Sequence, residues 1–225
     1  MRVAIIASGD TPSHAVPRAA FADADLRVAC DGALAAARAL GHEPNYVVGD
    51  GDSLSAADRD ALGDRFVRVA EQDTNDLCKA FRFVQSMYCI SDKPSVALLG
   101  TTGKREDHAL ANIFHLLDFT AYIPDTSIIT DYGTFVAVRD EQTFPCHPGE
   151  AVSVFAPLPG THVTSRGLVW PLNDVDLTLL WSGSLNRTAG IAFTLNANRP
   201  ILLYRPHRPH VHTKKAGRLA RKRLF

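Results

Sequence analysis

Short apolar runs alternate with segments of helical periodicity over the N-terminal part of the chain. Such runs predict buried strands, whereas apolar positions three and four residues apart predict helices. The predicted strands cover 3–7, 26–30, 46–48, 66–69, 95–99 and 127–130. The predicted helices cover 33–40, 56–62, 77–88 and 110–117. The alternation predicts an α/β fold for residues 1–131, with a doubly wound, mostly parallel sheet and helices on both faces.

The pattern changes near Asp131, and no later segment keeps a helical period. Short β-rich runs punctuated by Pro, Gly and Asn replace it. They cover 135–138, 152–155, 177–180, 191–195 and 201–204. Runs of this kind are typical of a β-sandwich. We therefore expect a second, all-β sandwich domain over residues 132–205, followed by a basic tail over 206–225.

The charge balance narrows the range of partners. The chain has 24 basic and 24 acidic side chains, so no net charge attracts nucleic acid or an anionic membrane. The tail is basic because it carries several Arg and Lys residues and no acidic residue follows Asp176. We interpret it as a solvated terminus, and we do not expect it to bind nucleic acid. A tail that binds nucleic acid is the alternative. Salt-sensitive binding that is lost on cutting at Arg205 would support it.

The cysteines and the apolar runs indicate a cytoplasmic protein. The four cysteines are Cys30, Cys78, Cys89 and Cys146, and they include no C-x-x-C pair and no nearby His at zinc-binding spacing. Isolated cysteines of this kind are typical of reduced thiols. No apolar run is long enough for a leader peptide or a membrane span, so no membrane partner is expected.

The stretch after the strand at 46–48 carries the first candidate for chemistry, Gly49-Asp50-Gly51-Asp52-Ser53. In an extended segment the two aspartates would point to the same side. Two carboxylates about 4 Å apart repel by about 4 kcal/mol at an effective dielectric of about 20. A proton, a basic partner or a cation must offset that repulsion, and Mg²⁺ suits oxygen ligands of this kind. An ordinary Asp/Gly/Ser turn is the alternative.

Three further polar clusters follow predicted strands, at Asp31, at 72–76 and at 100–107. Ligands of such sheets bind beyond the carboxyl ends of the strands. Together with the Asp50 segment, these clusters therefore predict one shared site along that edge of the sheet.

The segment at 72–76 opens a predicted helix. Asp76 and Lys79 lie three residues apart, so both could take part in a metal–phosphate complex at the strand edge. The alternative is a simple helix cap, with Asp73 or Thr74 at the N-cap position.

The segment at 100–107 is bounded by glycines, carries cations and precedes a helix, which is an arrangement that favours an anion. Arg105 could clamp a phosphate, and Asp107 could meet a metal or orient a hydroxyl. The alternative is that Lys104 and Arg105 are plain surface charges.

The second domain offers one candidate for stacking. Trp170 precedes a proline and is therefore held extended, which would present a flat surface to a ligand. A core or edge tryptophan is the alternative, and we expect that outcome for Trp181. Asn186 lies in a predicted turn.

Five motifs occur in order along the chain. They are Asp31-Gly32-Ala33, Gly49-Asp50-Gly51-Asp52-Ser53, Gln72-Asp73-x-x-Asp76-x-x-Lys79, Gly100-x-x-Gly103-x-Arg105-x-Asp107-His108 and Gly167-Leu168-x-Trp170-Pro171-Leu172. Together they resemble the thiamine pyrophosphokinase family over most of the chain, from about Val3 to Tyr204. Two departures stand out: Asn75 where the family often has Thr, and Leu185 and Arg187 on either side of Asn186.

The resemblance implies an α/β nucleotide-binding domain joined to a β-sandwich thiamine-binding domain. It implies that diphosphate passes from MgATP to the thiamine hydroxyl, leaving AMP, in a homodimer with active sites at the interface. By position, the residues expected to be catalytic are Asp50, Asp52, Asp76 and Asp107, of which the first three hold Mg²⁺. The residues expected to contact ATP and its phosphates are Asp31, Ser53, Gln72, Lys79 and Arg105. Trp170 and Asn186 are expected to contact thiamine.

Other functions fit parts of the pattern. One is a pyrophosphokinase of similar fold acting on another hydroxyalkyl heterocycle, and a second is a D-x-D nucleotide-sugar transferase. A phosphatase of the D-x-D-x-T/V type is disfavoured because Leu54 stands where Thr or Val is required. A non-catalytic thiamine- or nucleotide-binding module is a further alternative, which the combination of acidic and basic residues argues against.

Overall fold

The computed structural model of the chain describes residues 1–88 and 93–207. Its α-helices are α1 (Ala15–Ala22), α2 (Leu34–Ala39), α3 (Ala56–Leu62), α4 (Asp76–Met87) and α5 (Glu106–Tyr122). The strands of the N-terminal part are β1 (Arg2–Ile6), β2 (Leu26–Cys30), β3 (Tyr46–Gly49), β4 (Phe66–Arg68), β5 (Ser95–Leu99) and β6 (Thr126–Ile129). The later strands are β7 (Gly133–Val138), β8 (Gln142–Pro145), β9 (Ala151–Phe155), β10 (His162–Arg166), β11 (Val175–Asp176), β12 (Asn186–Arg187), β13 (Ala192–Ala197) and β14 (Ile201–Pro206).

Six parallel strands form the centre of the fold, in the order β4-β3-β2-β1-β5-β6. The chain moves outward from β1 through β2, β3 and β4, then crosses back to β5 and continues to β6. Crossovers of the usual right hand place α1–α3 on one face and α4 and α5 on the other. The strand order therefore reverses between β1 and β5, which is where sheets of this class bind ligands.

The α/β prediction is confirmed, and each of the six predicted N-terminal strands is present. The sequence reading missed α1. This helix has Pro17 in its first turn, and its two buried residues, Pro17 and Phe21, are too few to show a period. His14 caps it by accepting a 3.2 Å hydrogen bond from the Val16 N–H.

The C-terminal part is antiparallel and forms a sandwich, as predicted. The strand β7 pairs antiparallel with β6, so the large sheet continues as β7-β14-β9-β12. A second sheet, β11-β10-β13-β8, packs on this extension around a core that includes Val154, Phe193 and Leu203. The strand predicted over 177–180 was wrong: the short strand β11 precedes it, and Leu179 and Leu180 are exposed. The strands β8, β10 and β12 were missed, and Asn186, which was expected in a turn, lies in β12.

The large sheet crosses residue 131 without a break, so the division into domains at 131/132 stays a prediction. Cys89 and, from residue 208 onward, the basic tail lie outside the described residues. Within the described part of the chain, no helix combines the length and the apolar character that a bilayer crossing requires.

Candidate active site

A cleft of about 570 Å³ opens at the carboxyl ends of β1, β3 and β5, at the point where the strand order reverses. Six of the expected site residues line it: Asp50, Ser53, Gln72, Asp76, Lys79 and, from the loop before α5, Arg105. A larger cleft, about 740 Å³, lies in the C-terminal part and is lined by Glu150, Arg187 and Arg205 among others. We take the smaller cleft as the candidate active site, because polar residues that follow the carboxyl ends of several parallel strands line it.

Asp50 sits at the end of β3, where Gly51 (φ +92°) turns the chain. Its Oδ1 accepts a 3.0 Å hydrogen bond from the Asp52 N–H, and its Oδ2 accepts a 2.8 Å bond from Gln72 Nε2. These hydrogen bonds, with the Lys79 charge, lower the pKa of Asp50 below its ordinary value despite partial burial. Asp50 is therefore an anion aimed into the cleft and held in one orientation.

Asp31 supports the turn that carries Asp50. Its side chain is buried, and its Oδ2 accepts a 3.0 Å hydrogen bond from the Gly51 N–H. A Cβ on Gly49 would lie 2.6 Å from Asp31 Cγ, so only glycine allows this close approach. Burial, and then the charge of Asp76, raise the pKa of Asp31. Its carboxylate thus braces the turn through the backbone, and its expected contact with ATP stays a prediction.

Asn75 begins α4, since its Oδ1 accepts a 3.0 Å hydrogen bond from the Cys78 N–H. The alternative interpretation, with Asp73 or Thr74 as the cap of this helix, was therefore wrong. The cap leaves Asp76 and Lys79 in the first turn of α4, both lining the cleft.

Lys79 links two carboxylates of the site. It is buried, and its Nζ lies 3.1 Å from Asp76 Oδ1 and 3.9 Å from Asp50 Oδ2. Burial disfavours the charged form, but the two carboxylates outweigh that effect and raise the pKa of Lys79. A basic partner, one of the three ways in which carboxylate repulsion can be offset, therefore lies between Asp50 and Asp76.

The loop between β5 and α5 packs against the loop that follows β1. The Gly9 N–H donates to the Gly100 carbonyl at 2.8 Å, and a Cβ on Gly9 would lie 2.3 Å from the Thr102 carbonyl oxygen. Two strand-end loops therefore meet directly at the mouth of the cleft.

Arg105 and Asp107 pair with each other at the start of α5. The Arg105 guanidinium reaches the Asp107 carboxylate through bonds of 3.1 Å and 2.6 Å. This pairing lowers the pKa of Asp107 to about 2. Asp107 is 63% exposed at its side chain and is not among the residues that line the cleft, whereas Arg105 is.

Asp52 and Asp50 do not point to the same side as expected. The segment 51–54 forms a turn instead of an extended strand, and Asp52 is exposed outside the cleft lining. The alternation argument fails because Gly51 has positive φ, which breaks the two-residue period. A role for Asp52 as a metal ligand stays a prediction.

Trp170 and Asn186 are joined in the C-terminal part. Asn186 is buried and receives a 3.2 Å hydrogen bond from the Trp170 N–H, while its Nδ2 donates a 2.7 Å bond to the Trp170 carbonyl. The Trp170 side chain is left 57% exposed. Trp181 is 67% exposed, so the expectation of a core or edge tryptophan there was wrong.

The expected Mg²⁺ would be held by carboxylates of the cleft. Across residues 1–88 and 93–207, no three His, Cys, Asp or Glu side chains are grouped so that they could hold a metal ion by themselves. Mg²⁺ in nucleotide sites needs only one or two carboxylates, because phosphate and water oxygens complete its shell. Asp50 and Asp76, both facing the cleft, supply that number. The donor set fits a cation that arrives with a polyphosphate.

Comparison with known families identifies the family to which both parts of the chain belong. Residues 18–129 match the family described as thiamin pyrophosphokinase, catalytic domain, and residues 133–204 match the thiamin pyrophosphokinase substrate-binding domain. The chain belongs to the thiamin pyrophosphokinase family. It is a diphosphotransferase, and the two matched domains together imply diphosphorylation of thiamine by ATP.

Solved structures support the family fold. Thiamin pyrophosphokinase from Candida albicans superposes with a TM-score of 0.78 at 15% identity, covering 92% of this chain and 90% of its own. A family protein from Enterococcus faecalis gives 0.76 at 19% identity, covering 93% and 100%. The Bacillus subtilis thiamine pyrophosphokinase gives 0.75 at 20%, covering 92% and 99%. No sequence among the curated proteins matches the chain.

The site of this thiamin pyrophosphokinase family member also includes residues that the sequence reading did not assign. Ser8, Gly9, Lys104 and Asn112 line the cleft. Ser8 and Gly9 follow β1, so the strand-end rule that selected the other clusters would have found them. Lys104 lies in the 100–107 cluster that this rule did select, but it received no role there. Asn112 has no such signal, since its place in the cleft depends on how α5 packs.

Proposed function

We propose that the cleft at the β1/β5 reversal binds MgATP and that its residues direct transfer of the terminal diphosphate to the thiamine hydroxyl, with AMP as the leaving group. One observation carries this assignment: Asp50, Gln72, Asp76, Lys79 and Arg105, which come from separate strand ends and helix starts, line a single cleft. Anionic and cationic groups around one cavity match the needs of a metal-bound polyphosphate.

The proposed ligands of Mg²⁺ are Asp50, Asp52 and Asp76. The orientation of Asp50 by Gln72 and the position of Asp76 beside Lys79 support the first and third. Mg²⁺ bound there with the nucleotide would neutralise phosphate charge and hold the diphosphate in one orientation.

The proposed reaction is an in-line displacement at the β-phosphorus of ATP. In such reactions the protein contributes mostly positioning and electrostatic stabilisation. Lys79 is buried at the cleft wall and Arg105 lines the cleft from the loop before α5, so both are placed to offset the charge that develops on the transferred group. Gln72 keeps the Asp50 carboxylate in place. Ser53 and the Gly51 turn held by Asp31 complete the proposed nucleotide contacts.

The proton of the thiamine hydroxyl must pass to a base, and Asp76 or Asp107 are the proposed acceptors. Asp76 is the better placed, because it lines the cleft. Asp107 has a pKa of about 2 through its pairing with Arg105, which makes it a weak base at neutral pH.

Thiamine is proposed to pack on Trp170 in a homodimer, with active sites at the interface. The exposed Trp170 side chain on a loop held by Asn186 supports a preformed stacking surface. Trp181, Leu185 and Ile191 are exposed in the same part of the chain at 67%, 83% and 79%. Large apolar side chains exposed together are typical of surfaces that another protein covers. Asn186 itself is proposed to contact thiamine from the edge of this loop.

A cytoplasmic location is proposed for the enzyme. The thiols of Cys30, Cys78 and Cys146 are free in the structure, and free thiols are typical of a reducing compartment.

The deciding assay incubates the protein with thiamine and MgATP and follows both the product mass and AMP. We expect thiamine diphosphate and AMP in equal amounts, and neither without thiamine. ADP with thiamine monophosphate would contradict diphosphate transfer. Faster AMP formation with another heterocyclic alcohol would make that alcohol the substrate, and turnover of a nucleotide sugar without ATP would support the D-x-D transferase.

The proposed homodimer has its own test: light scattering of the same sample should give twice the 24.4 kDa chain mass.

A further inference from the structure

Lys104 has a backbone conformation that lysine rarely adopts. Its φ is +59°, in the loop between β5 and α5. Contacts of the Cβ atom make this left-handed region unfavourable for every residue except glycine. Residues held in such conformations cluster at binding sites and active sites. The backbone at this position favours glycine, so the presence of a lysine side chain needs a reason.

The packing of the loops does not supply that reason. Lys104 Nζ donates a 2.8 Å hydrogen bond to the Ser8 carbonyl, which links the β5 loop to the β1 loop. The same loops are already joined by two backbone bonds of 2.8 Å, from Gly9 N to the Gly100 carbonyl and from Asp10 N to the Thr102 carbonyl. One exposed side-chain bond to a neutral carbonyl adds little to a junction that the backbone already holds.

The charge of Lys104 distinguishes it from the other cations of the cleft. Lys79 is paired with Asp76, and Arg105 is paired with Asp107. Among the residues that the structure describes, no carboxylate lies within 4.0 Å of the Lys104 ammonium. An incoming anion can therefore bind Lys104 without first separating an ion pair.

The same loop contains a buried hydroxyl without a hydrogen-bond partner. Thr101 is 3% exposed and lines the cleft, and within the described residues its Oγ1 makes no hydrogen bond. Buried hydroxyls in folded proteins are nearly always hydrogen-bonded. A buried hydroxyl without a hydrogen-bond partner and, three residues away, an ammonium without a carboxylate partner both suit a ligand rich in acceptor oxygens.

We propose that Lys104 is a nucleotide-binding residue whose ammonium exchanges the Ser8 carbonyl for an oxygen of the ATP polyphosphate. This inference rests on the proposed binding of MgATP in the cleft and adds a contact to it. The exchange replaces a neutral acceptor with an anionic one, and charge-assisted hydrogen bonds of that kind are about twice as strong as neutral ones. No covalent bond is made or broken in the step.

The test compares Lys104→Gly, Lys104→Met and Lys104→Arg with the unchanged chain. Lys104→Gly removes the ammonium and also relieves the backbone strain, so its thermal midpoint should be equal to or above that of the unchanged protein. Lys93→Gly is the matched control, because Lys93 is also an exposed lysine with positive φ (+39°) but lies away from the cleft. The measurements are the Kd for MgATP by calorimetry without thiamine, and the KM for ATP and for thiamine.

We expect Lys104→Gly and Lys104→Met to weaken MgATP binding by about tenfold or more, the loss typical of a charged hydrogen bond. The KM for ATP should rise in parallel while the KM for thiamine stays near its original value. Lys104→Arg should retain most of the affinity, and Lys93→Gly all of it. Unchanged Kd in both Lys104→Gly and Lys104→Met would overturn the role of Lys104, as would weakening that Lys104→Arg shares. If the unchanged protein forms no AMP from thiamine and MgATP, the proposed function itself fails, which is a different result.

Discussion

The side-chain amide of Asn75 donates a 3.0 Å hydrogen bond from Nδ2 to Oδ1 of Asn112. Asn112 is buried on α5, and its own Nδ2 donates a 2.9 Å bond to the Thr101 carbonyl. Since Asn75 also caps α4, this chain of amides fixes the helix that carries Asp76 relative to the β5 loop. One buried network thus sets the distance between two walls of the cleft.

The variant Asn75→Asp tests that network. Aspartate keeps the oxygen that caps α4 but replaces the donor with an acceptor facing Asn112, so we expect kcat/KM to fall by about tenfold or more, which corresponds to about 1.4 kcal/mol.

Asn112→Ala should lower the free energy of unfolding by about 1–3 kcal/mol, because it leaves a buried carbonyl unpaired. Steady-state kinetics and urea unfolding measure the two effects. Asn173→Ala, at an exposed position, is the control; equal behaviour of the three variants would contradict the role of the network.

Asp50→Asn removes one charge with little change of shape. Single electrostatic groups of this kind contribute about 10²-fold to turnover, so we expect kcat to fall by at least about 100-fold. The measurement is AMP formation at saturating MgATP, with circular dichroism to show that the variant is folded. Asp64→Asn, an exposed aspartate near the end of α3, should retain full activity. Turnover by Asp50→Asn equal to that of the unchanged enzyme would remove Asp50 from the proposed metal site.

Trp170→Ala should weaken thiamine use more than ATP use. Stacking on an aromatic side chain contributes about 0.5–1.5 kcal/mol beyond the buried area, and the buried ring face adds to it, so we expect the KM for thiamine to rise by about tenfold. The KM for ATP is the internal reference. Trp181→Ala is the matched variant, since Trp181 is exposed to a similar extent. If both variants raise the KM for thiamine equally, or neither does, the specific role of Trp170 is wrong.

Asp131 should make the stability of the fold depend on acid. Burial alone would raise its pKa, but hydrogen bonds from Ser13 and His14 outweigh burial and lower the pKa below its ordinary value. These include bonds of 2.9 Å and 3.0 Å from the Ser13 N–H and 3.0 Å from the His14 N–H, just ahead of α1. A lowered pKa stabilises the folded state above the ordinary carboxyl range and loses that effect as pH falls through the folded pKa.

The check is Asp131→Asn against the unchanged chain in urea at several pH values. At pH 7 the variant should be less stable by about 1–2 kcal/mol, because hydrogen bonds to a charged acceptor are replaced by neutral ones. The difference should shrink below about pH 4, where the unchanged carboxylate begins to protonate. Asp140→Asn, at an exposed site, should show no such trend. A constant difference between pH 7 and pH 3 would mean that ionised Asp131 does not hold the α1 loop.

Much of this protein was determined by local features of the sequence. The buried strands β1, β3 and β5 contain continuous apolar runs, and β2 is interrupted only by Arg27, as expected where helices cover both faces of a parallel sheet. A polar cluster follows each strand. Because parallel strands share one carboxyl edge, the strand-end rule predicted a shared site for Asp50, Gln72 and Asp76, and helical spacing added Lys79; all four line a single cleft. The apolar run over 177–180 was wrongly read as a strand: Leu177 is buried, but Leu179 and Leu180 are exposed, and the short strand β11 ends before the run.

Only the tertiary structure decided which side of a turn each polar group faces. Positive φ at Gly51 separates Asp52 from Asp50. The Asn75 side chain caps α4 and aligns this helix. The packing of α5 on the β5 loop brings Asn112 and Lys104 to the cleft. The physical reason is the range of the forces involved. An apolar run can be recognised as a buried strand from residues that are adjacent in the sequence. The direction of a side chain on a loop depends instead on one or two dihedral angles, which contacts with distant residues set.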